Sequence, residues 1–255
     1  SELDVSPPLA PYYYEFNTTR PPFNDVRVRK ALNMALDKDI IAGKVLGQGQ
    51  RPAWLISQPD IGGVKLQNPD YASWPQDKRI AEAKKLLEAA GYNASHPLRF
   101  NLLYNTSESH QRIAIAASSM WKKNLGVEAK LQNQEWKTML DTMHTHNFDA
   151  VRYAWIADYD DAATFLNTFR TGDSENTSQY SNPEYDQALM NAAKAKTTEE
   201  RGKFYQQAED LLGRDVPAIP VYHYVRTHLV KPWVGGFTPD KLGYYYTKDM
   251  YIKKH

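Results

Sequence analysis

The stretch that decides the fold is 98–156, LRFNLLYNTSESHQRIAIAASSMWKKNLGVEAKLQNQEWKTMLDTMHTHNFDAVRYAWI. Short apolar runs that alternate with polar positions predict strands, and apolar residues spaced three and four apart predict helices between them. The predicted order is strand, helix, strand, helix, strand, over 98–104, 107–124, 127–131, 135–144 and 148–156. Such alternation is typical of an α/β protein with a mixed, mainly parallel sheet that is flanked by helices.

The same patterns continue on both sides of this stretch. Before it, one strand and three helices are predicted over 12–16, 26–36, 38–46 and 77–90. After it, three helices and a strand are predicted over 161–169, 183–195, 198–212 and 218–224. Asp25 is expected to cap the first helix, and Thr197 with Glu200 fits a capping box for the last one. Residues 51–74 carry several Pro and Gly and predict a long irregular loop, which is usually functional or held by its neighbours.

Composition excludes several classes of protein. The 255 residues include 31 basic and 30 acidic side chains, and this balance argues against nucleic acid as a partner. No cysteine is present, so disulfides, zinc–thiolate sites and cysteine nucleophiles are excluded. The glycine-rich nucleotide cradles and the Gly-x-Ser-x-Gly elbow are absent, and no cofactor is predicted. Residues 1–10 are expected to form a linker; they show no basic-then-apolar signal pattern, and a secreted protein would have had its signal peptide removed.

Aromatic residues make up 12% of the chain, with 17 tyrosines and 6 tryptophans. Three tyrosine-rich clusters stand out, at 12–14, 222–224 and 244–246. Tyrosine and tryptophan offer apolar area with a polar tip, which suits a wet pocket or an interface. Strands with one face in the core and the other in solvent would explain each cluster equally well.

Asp158, Asp160 and Asp161 form the most enzyme-like feature, with three acids in four residues at the end of a predicted strand. One of the last two would cap the following helix. A calcium loop is a second interpretation, although the spacing lacks the Asp-x-Asp-x-Asp-Gly pattern. A third is an acid that binds a cationic ligand at the carboxyl end of a strand. The pair His144 and His146 would diverge on a helix, so no metal site is predicted there.

Several segments together resemble the oligopeptide-binding proteins of bacterial ABC importers, including the related murein-peptide binder. The segments are YYYEFN (12–17), PPFNDVRVRKAL (21–32), LLYNTS (102–107), SSMWKKNLGV (118–127), NQEWKT (133–138), AWIADY (154–159), LVKPWVGG (229–236) and MYIKKH (250–255). They occur in the same order as in the family and extend over nearly the whole chain.

The resemblance implies a lobe of the type II periplasmic-binding-protein fold. Family members enclose a short peptide between two lobes and deliver it to a membrane permease of an ABC importer. Residues 11–216 would form the carboxy-terminal lobe, and 217–255 would return toward an amino-terminal lobe that this sequence lacks. The protein would then be periplasmic, and short peptides would be its ligands.

The resemblance also implies a set of ligand-binding residues. Asp158 would hold the peptide ammonium group through a charge-assisted hydrogen bond. Ala154 and Ile156 would pair with the peptide main chain, as in β-augmentation. The expected aromatic walls are Trp136, Trp155, Tyr13 and Tyr224. The expected polar residues are Glu15, Asn105, His110, His144 and Arg152.

Two features depart from the family pattern. Close relatives carry cationic side chains that can meet the peptide carboxylate where this chain has Leu46 and Met143. Because these partners for the end of the peptide are absent, the length of the preferred peptide is open. Some relatives also join the positions of Ala10 and Ile156 by a disulfide, which this sequence lacks.

Two other functions are also open. A binder of the same fold could take another cargo, such as a murein peptide, a dipeptide, nickel or haem. A carboxylate-dependent hydrolase would use Asp158, Asp160 or Asp161 together with His110.

Overall fold

The structure, a computed structural model, describes residues 2–254. In this part of the chain the strands are β1 (Leu3–Ser6), β2 (Pro11–Phe16), β3 (Arg51–Pro52), β4 (Arg99–Asn105), β5 (Glu128–Gln134), β6 (Ala150–Ala154), β7 (Ala218–His223), β8 (Arg226–Leu229), β9 (Val234–Gly235) and β10 (Tyr251–Ile252). The α-helices are α1 (Val26–Ala35), α2 (Lys38–Ile40), α3 (Gln76–Ala89), α4 (Glu108–Leu125), α5 (Trp136–His144), α6 (Ala163–Leu166), α7 (Pro183–Lys194) and α8 (Thr198–Asp215). A π-helical turn spans Ile41–Leu46, and 3-10 turns span Ile61–Gly63, Asp70–Ser73, Asn167–Phe169 and Thr247–Asp249. None of the helices within 2–254 is both long and apolar enough to cross a membrane.

A six-stranded sheet with the order β3-β7-β2-β6-β4-β5 forms the centre of the fold. β4 runs parallel to β5 and β6, whereas β2 is antiparallel to both of its neighbours, β6 and β7. β3 is antiparallel to β7. Four of the six strands, β4 to β7, therefore point the same way. The predicted α/β fold with a mixed, mainly parallel sheet and flanking helices is confirmed, and the antiparallel pairs are those of β2 and of the edge strand β3.

All six residues of β2 are buried. Tyr12 and Tyr14 pack into a cluster with α1 and α4 on one face of the sheet, while Tyr13 packs with α7 and α8 on the other face. The first tyrosine cluster therefore fills core positions, because this strand is covered on both faces rather than on one. The cluster at 244–246, by contrast, is exposed.

The predicted helix caps are present. The Asp25 side chain accepts a hydrogen bond from the main chain of Arg27 at 2.9 Å, and Thr197 accepts one from Glu200 at 3.1 Å. The Glu200 carboxylate accepts in turn from the main chain of Lys196 at 3.0 Å, one residue before the cap. These contacts satisfy main-chain donors that the first turn of a helix leaves unpaired.

The loop that was predicted over 51–74 is held against the core by several contacts, and two of them use buried ionisable side chains. The buried Glu209 carboxylate accepts hydrogen bonds from the main-chain N–H of Ile56 at 3.2 Å and of Ser57 at 2.8 Å. Burial raises the pKa of Glu209 to about 7. The fully buried Lys38 ammonium donates to the carbonyl of Ala53 at 3.0 Å. The loop also contains β3, which sequence patterns did not predict because it is only two residues long.

Both ends of the described chain lie outside the six-stranded sheet, in two small sheets of two strands each. β1 is antiparallel to β8, and β10 is antiparallel to β9. The region expected to be a linker, 1–10, thus contains a strand, and its residues Leu9 and Ala10 are buried. β7 belongs to the central sheet while β8 to β10 lie outside it, and the division of the chain after residue 216 stays a prediction.

Candidate functional site

A cleft of about 480 Å³ opens at one edge of the central sheet. Its lining comes from the ends of β6 and β7, the start of α5, and the residues that lead into β2. The lining residues are Pro8, Ala10, Trp136, Arg152, Tyr153, Ala154, Trp155, Ile156, Tyr224, Val225 and Arg226. Because β4 to β7 point the same way, this edge collects their carboxyl ends, where ligands of open α/β sheets bind.

The wall of the cleft is largely aromatic and apolar. Trp136 stacks on Tyr153 with ring centroids 6.1 Å apart and planes inclined by 13°. Trp136 is 43% exposed and Ile156 is 58% exposed, which is unusual for large apolar side chains. The indole N–H of Trp155 is buried and has no hydrogen-bond partner within 2–254. Such a wall provides apolar contact area together with an unsatisfied donor for a ligand.

The main chain beside the cleft leaves the sheet where β6 ends. Ala157 donates its N–H to the carbonyl of Leu9 at 2.9 Å, which fixes the course of the chain. On its other side, β6 pairs with β4 only as far as Leu103 and Val151, and none of the turn and loop hydrogen bonds inside the described range uses the main chain of Ile156. Main-chain donors and acceptors of this kind are available to an extended ligand that adds itself to the strand.

Arg152 lies at the floor of the cleft and is only 5% exposed. Its Nη1 donates to Asn105 Oδ1 at 3.0 Å, and its Nη2 donates to the hydroxyl of Tyr224. The guanidinium carbon lies 4.7 Å from the centre of the Tyr12 ring. The His110 ring approaches the same tyrosine, and burial together with the charge of Arg152 lowers the pKa of His110 to about 3. Three of the predicted polar residues, Asn105, His110 and Arg152, thus lie in one mostly buried cluster with Tyr224, and its histidine is neutral.

Asp158 follows the exposed main chain by two residues and is itself exposed. Its main-chain N–H donates to Thr164 Oγ1 at 3.0 Å, which fixes the backbone there. Among residues 2–254, no hydrogen bond or ion pair reaches its carboxylate, and it lies beyond the residues that line the cleft. An unpaired carboxylate beside an aromatic cleft can bind a cationic group of a ligand.

The neighbouring acids are already engaged. Asp160 accepts from the main chain of Gly62 at 2.7 Å and lies 3.6 Å from the ammonium of Lys241. Asp161 accepts from the main chain of Ala163 at 2.9 Å, from the Tyr205 hydroxyl at 2.5 Å and from Arg201 at 3.1 Å. The expectation that one of these acids caps α6 fits the contact between Asp161 and Ala163.

Three predicted site residues lie away from the cleft. Tyr13 and Glu15 are 2% and 3% exposed, and Glu15 accepts from the hydroxyl of Thr177. Burial raises the pKa of Glu15 to about 8. His144 ends α5, whose first residue lines the cleft, so it lies roughly 12 Å away along the helix axis. Its Nδ1 is 2.9 Å from the carbonyl of Leu140, and the described residues contain no group of side chains that could hold a metal.

The two positions that depart from the family pattern also lie outside the cleft. Met143 is 1% exposed and packs between α5 and the sheet, and Leu46 packs against the core around α1. Ala10 and Ile156, in contrast, both line the cleft.

Sequence patterns missed five residues of the lining. They are Pro8, Ala10, Tyr153, Val225 and Arg226. Their shared feature is that they lie within two residues of the end or the start of a strand at the cleft edge. Arg226 carried a usable signal, because it is a charged residue three positions after a buried strand.

A comparison with protein families explains this architecture. The profile for the middle part of family 5 of the bacterial extracellular solute-binding proteins matches residues 2–202. The chain belongs to this family.

Individual members of family 5 are similar over the whole chain. The periplasmic oligopeptide-binding protein OppA of Escherichia coli K12 is 51% identical over 255 residues, which are 100% of this chain and 47% of OppA. The structure of the Escherichia coli murein tripeptide binding protein MppA has a TM-score of 0.92 at 43% identity and covers 100% of this chain and 50% of that one. The Haemophilus influenzae OppA complex with RPPGFSPFR has a TM-score of 0.90 at 44% identity, with coverages of 100% and 50%. The chain therefore spans about half the length of the relatives it matches.

Proposed function

We propose that this chain is the carboxy-terminal lobe of a periplasmic solute-binding protein. The complete protein captures short peptides between two lobes and delivers them to the membrane permease of an ABC importer. Three relatives or neighbours named for binding oligopeptides or murein tripeptide support this proposal, and so does their twofold greater length. The missing amino-terminal lobe would cover the cleft from the other side.

The observation that carries the proposal is the main chain of Ala154 and Ile156, which lies beyond the last β4–β6 pair and beside an aromatic cleft. An extended peptide placed along these residues gains main-chain hydrogen bonds that depend little on its sequence. Its side chains then meet aromatic walls and water rather than close-fitting pockets. This arrangement suits a carrier that accepts many peptides.

Asp158 supplies the charged end of the proposed site. Its exposed carboxylate pairs with the ammonium group of the peptide, and closure of the second lobe removes water from the pair. A free amino terminus is common to nutrient peptides and murein peptides, so the proposal includes both. An anionic cargo does not suit an unpaired acid at this place.

Binding without catalysis fits the remaining acids better than hydrolysis does. Asp160 and Asp161 are occupied by main-chain, tyrosine and arginine contacts, and they hold the segment after β6 in place. His110 is neutral because burial and Arg152 lower its pKa. No described pair of carboxyl groups at the cleft has the divergent environments that general acid–base chemistry needs.

Isothermal calorimetry with the complete two-lobed protein tests the proposal. A tri-lysine peptide should bind in the micromolar range or tighter, and the N-acetylated form should bind more weakly. The absence of heat with a panel of di- to pentapeptides of mixed sequence would refute peptide capture. Release of amines from those peptides during the titration would refute the assignment as a binding protein without catalysis.

A further inference from the structure

Arg226 contributes a cation to the cleft that the network around Arg152 does not include. It is the first residue of β8, and it lines the cleft two residues after Tyr224. Its Nη1 donates to the carbonyl of Gly243 at 2.7 Å. That is the one hydrogen bond its side chain makes within 2–254, and no carboxylate of that range forms an ion pair with it. A guanidinium has five N–H donors, so most of them are unused here.

A tight turn at 240–244 forms the seat for this side chain. Gly243 N–H donates to the Asp240 carbonyl and Tyr244 N–H to the Asp240 side chain, both at 2.9 Å. Gly243 has a φ of +82°, and a Cβ added there would lie 2.3 Å from Arg226 Nη1. The backbone conformation therefore favours glycine, and any larger residue would push the guanidinium away from the turn.

The seat is attached to the lobe by a hydrogen bond and by a packing contact. Leu9 N–H donates to the carbonyl of Lys241 at 2.9 Å, and Leu242 packs against the core cluster around α7 and α8. Arg226 is thereby held at one place in the cleft before any ligand arrives. A preorganised cation loses less conformational entropy on binding than a mobile one.

The other cation of the lining is not free for a ligand in the same way. Arg152 is 5% exposed and donates to Asn105 and Tyr224, and its Nε is buried. The rest of the lining in the described chain consists of apolar, aromatic and small residues. A ligand group with negative charge thus finds its available partner at Arg226.

We propose that Arg226 is a specificity-determining residue that binds a carboxylate of the captured peptide. The planar fork of the guanidinium matches the two oxygens of a carboxylate, which a lysine or a neutral donor does not. The carboxylate can come from an acidic side chain or from the carboxyl terminus of the peptide. This inference rests on the proposed peptide-binding function and adds a preference to it.

Calorimetry with the complete protein and two pairs of peptides tests the preference. Ala-Glu-Ala against Ala-Gln-Ala measures the side-chain source, and Ala-Ala-Ala against its carboxy-terminal amide measures the terminal source. We expect the wild type to prefer the carboxylate in at least one pair by about tenfold, the effect of one charge-assisted hydrogen bond. In Arg226→Gln that preference should disappear, so that the affinities for the two peptides of the pair differ by less than about twofold.

The seat provides a second, independent variant. Gly243→Ala should displace the guanidinium and reduce the carboxylate preference as Arg226→Gln does. Gly172→Ala is the matched control, because Gly172 also has a positive φ, +77°, but no atom lies within 4 Å of an added Cβ. It should keep the preference.

Each outcome decides between the two proposals. If Arg226→Gln keeps the carboxylate preference, or the wild type shows none in either pair, the role of Arg226 is wrong while peptide capture stands. If the wild type binds none of the four peptides, the proposed function fails and the inference fails with it. Binding of the neutral peptides by every variant shows that the variants are folded.

Discussion

Replacing Asp158 by Asn gives the sharpest prediction from the site. The change keeps the size of the side chain and removes its charge. Because the carboxylate is exposed and unpaired, the free energy of unfolding should change by less than about 0.5 kcal/mol. In the closed two-lobed protein, the same carboxylate would face the peptide ammonium in a site without water. Removing one partner of such a pair weakens binding by roughly 2–5 kcal/mol, or about thirtyfold to several thousandfold.

Calorimetry with tri-lysine and its N-acetylated form measures this coupling in a double-mutant cycle. Acetylation should weaken binding to the wild type and have little further effect on Asp158→Asn, because both changes remove the same contact. Asp160→Asn is the control, since Asp160 is also exposed but contacts Gly62 and Lys241 instead. Equal affinity of wild type and Asp158→Asn would remove Asp158 from the site. An undiminished acetylation effect in the variant would place the ammonium elsewhere.

Three further predictions concern the isolated chain. The 255 residues alone should bind tri-lysine in the millimolar range or more weakly by NMR titration, because an exposed ion pair contributes only about 0–1 kcal/mol; submicromolar binding would contradict this. Burial raises the pKa of Glu15 to about 8 and that of Glu209 to about 7, from 4.5, so the folded state binds these protons more tightly. Their contribution to stability is complete below pH 4.5 and is lost as the pH rises through 7 to 8. In urea denaturation, the free energy of unfolding should fall by about 1.4 kcal/mol per pH unit for each group over this range. Glu209→Gln should reduce this fall. Trp121→Ala should lower the free energy of unfolding by about 3–5 kcal/mol because Trp121 is fully buried. Trp136→Ala, at a site 43% exposed, should lower it by about 1 kcal/mol or less and weaken peptide binding instead.

The regular part of the fold could be predicted from sequence because its signals are local. The helices α3 and α4 and the strands β4 to β6 have clear periodicity, and Gly126 ends α4 in the left-handed conformation that favours glycine. The position of β2 was not predictable in this way. Its partners β6 and β7 are more than a hundred residues away, and burial of both faces produces a continuous aromatic run instead of alternation. The strands β3, β9 and β10 are two residues long and leave no pattern.

The candidate site could be predicted where residues follow a strand directly. Trp155, Ile156 and Tyr224 line the cleft because β6 and β7 end at the same edge. The placement of Glu15 and His144 needed the three-dimensional structure. Glu15 lies toward the far end of β2, and His144 lies at the far end of α5, so neither reaches this edge.

The central claim is that the complete protein carries short peptides. Native mass spectrometry of the two-lobed protein, purified without denaturation, tests it most directly. The account predicts a distribution of bound masses of roughly two to five amino-acid residues each, which disappears on unfolding and is replaced by added tri-lysine. A protein that is entirely free of peptide and that does not take up tri-lysine would contradict the account, as would a single bound mass that is not a peptide.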